Sequence, residues 1–137
     1  MRRTIWIVMF ALICSMAFAQ TLKQVPAKYT DPGSGSEMFK AYCAACHGTD
    51  AKGNGPAAPA LKAKLNDLTL LTKSHGGKFP SDHVARVITG DTSVTAHGTK
   101  DMPTWGRTFM AMDHADRSVM LLRIRNLADY IETLQTK

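Results

Sequence analysis

The sequence predicts an all-α domain of four to five helices joined by long loops. Three observations carry that expectation. Met120, Ile124, Leu127, Ile131 and Leu134 recur at intervals of three and four, the period of a helix with one buried face. No segment alternates apolar and polar residues as a half-buried strand does. Gly and Pro gather between the periodic segments, over residues 48–66 and 91–112, so the loops are long for 137 residues. Loops of that length need something to pack against, and a large apolar cofactor would supply it.

The elements follow in chain order. "MRRTIWIVMFALICSMAFAQ" opens on Arg2 and Arg3, runs apolar from Ile5 to about Phe18, and closes on Ala17-Phe18-Ala19, a small-x-small cleavage pattern. The apolar run falls short of the ~20 residues a membrane span needs. Residues 1–19 therefore read as a cleaved export signal, with an uncleaved anchor as the alternative. Cys14 leaves with the signal, since Ile13 before it is not the small residue of a lipoprotein site. Losing Arg2 and Arg3 lowers the formal charge from +6 to +4. Export places the chain in the bacterial periplasm, which is oxidising.

Residues 20–33 read as an irregular arm containing Pro26 and Pro32, and residues 34–137 as the domain. Ser34 or Ser36 can cap a first helix, with Glu37 at the positive end of its dipole. Met38, Phe39, Tyr42 and Cys43 continue it at helical spacing, and Gly48 can end it. "DLTLLTKSHGG" reads as a short helix capped by Thr69 and stopped by Gly76. "PSDHVARVITG" reads as another, with Ser81 as cap and Gly90 beyond its end. Residues 91–112 read as loop, and the last helix is expected from about Asp113 to Thr136.

Hydrophobic residues at 45% and charged residues at 20% make an ordinary globular mix. Three cysteines are too few for a disulfide-dense scaffold, and only Cys43 and Cys46 remain after export. They stand in "YCAACHG", where three chemistries compete. A redox pair wants its first thiol at a helix N-terminus after a strand, and here the pair lies late in a helix with no strand before it. A structural zinc needs four ligands, and Cys43, Cys46 and His47 offer three at most. The spacing C-x-x-C-H is that of covalent c-type haem, where each thiol adds to one vinyl group and the histidine meets the iron. Only this reading uses all three residues and leaves no bare thiol in an oxidising compartment.

With these residues in view, the chain resembles the small class I cytochromes c over most of residues 33–136. Gly35-x-x-x-Phe39 stands before Cys43 as in that family's first helix, and Leu127-x-x-Tyr130 stands where its last helix crosses the first. The resemblance implies the cytochrome c fold, wrapped around one covalently attached haem c. "KDMPTWG" is similar to the family's sixth-ligand loop, which makes Met102, 55 residues after His47, the expected second axial ligand. Methionine sulfur is soft and favours ferrous iron. His97 is its histidine rival, and Met110 and Met112 read as core or haem wall. Pro59-x-Leu61 resembles the segment whose proline carbonyl accepts from the ligating histidine, with Pro56 the alternative and Leu61 covering the haem face. Trp105 is expected to pack in the core or to turn its N–H to a haem propionate. His75, His83 and His114 read as solvated helix-end residues.

These expectations add up to a periplasmic monohaem electron carrier, not an enzyme, serving respiratory redox partners. Lys40, Lys52, Lys62, Lys64, Lys73, Lys78 and Lys100 are candidates to steer it to acidic docking surfaces. Nucleic acid is no expected partner. A membrane enters only through an uncleaved anchor or a membrane-bound partner. Two alternatives are an open-site haem protein that reacts with peroxide or binds a gas, and a cytochrome subunit of a larger dehydrogenase or oxidase.

Overall fold

Ser34 accepts a hydrogen bond from the Glu37 amide at 3.2 Å, and the chain enters its first helix there. The computed structural model describes residues 27–62, 64–91 and 102–136. The signal segment, most of the arm, His97 and Lys100 lie outside the described residues. All regular structure among the described residues is helical.

Helix α1 covers residues 35–47. It is α-helical at Gly35–Met38 and Ala44–His47, with a π turn at Phe39–Cys43 between them. The Ala44 amide closes that wider turn on the Phe39 carbonyl. A 3-10 turn at Leu68–Leu70 then leads into α2, Leu71–Ser74. Its cap is Asp67 and not Thr69. The Asp67 carboxylate accepts from the Thr69 amide at 2.9 Å and from its hydroxyl at 2.6 Å. Helix α2 stops at Ser74 with His75 as its C-cap, ahead of the expected Gly76.

Helix α3 spans Ser81–Thr89 and is capped by Pro80, so Ser81 is its first helical residue. Gly90 follows at φ +87°, the left-handed stop that a glycine takes without strain. Helix α4, Trp105–Met112, occupies part of the stretch expected to be loop. His114 and Ala115 then turn the chain at φ 54° and 66°. Helix α5, Arg117–Thr133, begins later than the expected Asp113, because the Asp116 carboxylate caps it by accepting from the Ser118 amide at 2.8 Å.

The core forms where α1 crosses α5. A Cβ on Gly35 would lie 2.1 Å from the Asn126 carbonyl oxygen and 2.7 Å from the Tyr130 Cβ, so the two backbones meet with only a hydrogen between them. Phe39 and Leu127 are fully buried in the contact, and the Phe39 and Tyr130 rings stand 5.6 Å apart. Helices α3 and α4 also pack on α5. Gly106 allows the α3–α4 approach, since its Cβ would sit 2.7 Å from the Thr89 carbonyl oxygen.

Among the described residues one charged group lies wholly inside. Arg123 of α5 is 0% exposed. Its Nε and Nη2 donate to the two oxygens of Asp113, the second at 2.9 Å. Nη1 donates to the Thr30 carbonyl at 2.9 Å and the Thr30 hydroxyl at 3.2 Å. The hydrogen bonds it donates to Asp113 hold the guanidinium above its ordinary pKa. The Tyr29 ring lies 4.9 Å from the guanidinium carbon. The end of the arm is therefore irregular but docked. Asn126 also donates to the Pro32 carbonyl at 2.8 Å, and Tyr42 donates to that of Lys28 at 2.7 Å.

Candidate functional site

Cys43, Cys46 and His47 close helix α1, and Cys43 and His47 are each 7% exposed. A helix end leaves carbonyls without intrahelical partners, and here the following loop supplies them. Gly53 donates to the His47 carbonyl at 2.8 Å, Gly55 to that of Cys46 at 3.0 Å, and Ala57 to that of Ala45 at 2.8 Å. Gly55 passes so close that a Cβ on it would lie 2.4 Å from the Ala45 oxygen. The loop thus roofs the end of the motif and fixes its backbone.

Below it lies a cleft of about 420 Å³. Leu68 and Leu71 form one wall, Val84, Val87 and Ile88 of α3 another, and Ile131 of α5 a third. Cys43 and His47 are on its lining, and so is Met102, half-buried just before Pro103 and α4. Four helices and one loop therefore bring an imidazole, a thiol and a thioether to one apolar space.

The remaining expected residues lie elsewhere. Cys46 is half-buried beside the cleft lining and not on it. Pro59 sits exposed in a 3-10 turn at Ala58–Ala60, with Leu61 half-buried at its end, and neither lines the cleft. Trp105 packs against Tyr42 and Phe109, at 4.9 and 5.8 Å between ring centroids, which is the core-packing side of its expectation. Met110 and Met112 pack against the core away from the cleft lining. His75 is exposed at the end of α2 and His83 half-buried in the first turn of α3, so both are helix-end residues as expected. What sequence reading missed is that both are on the cleft lining, with ring centroids 6.0 Å apart. Nothing in "KSHGGKFPSDH" marked them, because both stand among mostly polar residues.

The electrostatics bear on the competing chemistries. Burial, with a contribution from Cys46, pushes the Cys43 thiol up to about 12. A redox nucleophile needs the opposite shift. Among the described residues no group of three His, Cys, Asp or Glu side chains is placed to hold a metal ion.

A family model described as Cytochrome c matches residues 33–135. The chain belongs to the cytochrome c family. No curated protein and no solved structure matches it. Members of the family bind covalently attached haem c and act in haem-based electron transfer, generally as carriers rather than enzymes. The cleft fits that group: its walls are apolar, a buried imidazole and a soft thioether lie on its lining, and the two cysteines stand at the adjoining helix end.

Proposed function

We propose that this protein is a monohaem c-type cytochrome of the bacterial periplasm that passes single electrons between respiratory partners, with His47 and Met102 as axial ligands. The observation that carries the reading is that His47 and Met102, far apart in sequence, line one apolar cleft beside Cys43. Cys43 and Cys46 would hold the group through two thioether bonds, one to each vinyl. Bound there, haem iron supplies a one-electron exchange between its ferric and ferrous states. His47, buried at a clamped helix end, and Met102 would hold the iron, and the soft thioether would favour its reduced state. With both protein ligands in place no open position would remain for a substrate, which suits a carrier. Leu68, Leu71, Val84, Val87, Ile88 and Ile131 line an apolar space that would keep water from the group.

Partners would be met through exposed lysines. Lys40, Lys52, Lys62, Lys64, Lys73 and Lys78 are all exposed, which suits salt-sensitive steering to acidic docking surfaces. No helix among the described residues is long and apolar enough to cross a membrane. The export signal, its cleavage after Ala19 and the domain limits at 34–137 belong to the same proposal. Pro59 and Leu61 are proposed as the support of His47 on the side of the 3-10 turn, and Trp105 as a packing residue near the haem edge.

The test is an absorption spectrum of the exported protein, oxidised and reduced, beside that of Met102→Ala. Sharp reduced c-type bands and a weak red ferric band that disappears in Met102→Ala are the expected result. A high-spin ferric spectrum in the wild type, shifting when a small ligand is added, would replace the carrier with an open-site haem protein.

A further inference from the structure

Haem carries two carboxylates, and a carboxylate facing an apolar wall is costly unless N–H or O–H groups meet it. Besides His47, the donors on the cleft lining are few: Asn66, Ser74, His75 and His83. The Ser74 hydroxyl donates to the Leu71 carbonyl at 3.0 Å. Asp67 on the same lining is acidic and turned to its own cap, where it accepts from the Thr69 amide and hydroxyl. Among the described residues no lysine or arginine is on the lining. Of the described lining residues, His47 aside, the two histidines are those that can bring positive charge to a carboxylate.

Their arrangement supports this use. His75 sits at the C-cap of α2, and Nδ1 lies 2.8 Å from the Leu71 carbonyl oxygen. A carbonyl only accepts, so Nδ1 carries the proton and the ring orientation is fixed. That leaves Nε2 to meet a ligand. His83, in the first turn of α3, brings its ring to 6.0 Å from that of His75.

We infer that His75 and His83 form the carboxylate-receiving end of the cleft and bind the haem propionates. The inference rests on the haem reading above. It assigns the propionates to these two residues and not to Trp105.

The test uses the matured holoprotein. Proton NMR of the ferrous form is expected to show nuclear Overhauser contacts from both imidazole rings to the propionate methylenes. His75→Gln and His83→Gln are each expected to lower the reduction potential, and the double variant to lower it further. Removing donor and positive charge leaves the propionate charge less compensated, and that favours ferric iron. His114→Gln, at the α4–α5 turn, is the control and is expected to leave the potential at the wild-type value. Absence of both contacts, or a double variant at the wild-type potential, overturns the inference while the haem reading stands. A wild-type chain that emerges without haem overturns both.

Discussion

Arg123→Met tests what holds this fold together. Methionine keeps the buried stem of the side chain and deletes the guanidinium. Five hydrogen bonds go with it, two to Asp113, two to Thr30 and a long one to the Met38 sulfur. The larger consequence is the carboxylate left behind, because the Asp113 side chain is only 5% exposed. Removing one partner of a buried ion pair costs about 3–5 kcal/mol. In a domain near 100 residues each kcal/mol moves the melting temperature by about 4–8 °C, so a loss on the order of 20 °C is expected. Thermal unfolding of the holoprotein by circular dichroism measures it. The double variant Arg123→Met, Asp113→Leu leaves no charge unpaired and is expected to melt well above Arg123→Met alone. If Arg123→Met melts within about 4 °C of the wild type, or the double variant melts lower than the single, the ion pair is not the anchor described.

Gly35→Ala is expected to cost at least the ~1–3 kcal/mol of core overpacking, because a Cβ 2.1 Å from the Asn126 oxygen forces α1 and α5 apart; urea unfolding measures it. Gly55→Ala should lift the loop from the end of α1 and lower the ratio of haem to protein after maturation, read from the absorption spectrum. Asp116 is held below the ordinary aspartate value, first by the Ser118 hydroxyl and then by the Ser118 and Val119 amides. A lowered folded value means stability that is present above the unfolded value and lost as pH falls through the folded one. Asp116→Ala should therefore melt below the wild type at neutral pH, and the gap should close in acid below the ordinary value of 3.8.

The haem motif and the last helix were legible because each has a signature that stands on few residues: C-x-x-C-H for one, a three-four apolar period for the other. Gly35, Phe39, Leu127 and Tyr130 were legible as a crossing through the family resemblance that they carry. Helix α4 was not. Gly106 weakens its propensity, and the turn after it uses His114 and Ala115 in left-handed conformations where a glycine would have announced a stop. Without that mark, α4 merged into the loop before it and α5 seemed to start at Asp113. Arg123 was hidden differently. Its sequence position lies within the apolar stripe of α5, but its burial depends on Asp113 and Thr30, and only the folded chain brings those to it. His75 and His83 come from different helices, so their meeting is likewise a tertiary fact.

The clamp on the end of α1 works on the backbone and lets the side chains face the other way. Three amides of the following loop are bonded to the carbonyls of Ala45, Cys46 and His47, while Cys43 and His47 turn to the cleft lining. The loop is therefore a jig: it sets the spacing of the motif from behind and takes up none of the space in front of it. A substitution that loosens the jig would blur the alignment of thiol and imidazole without touching either group.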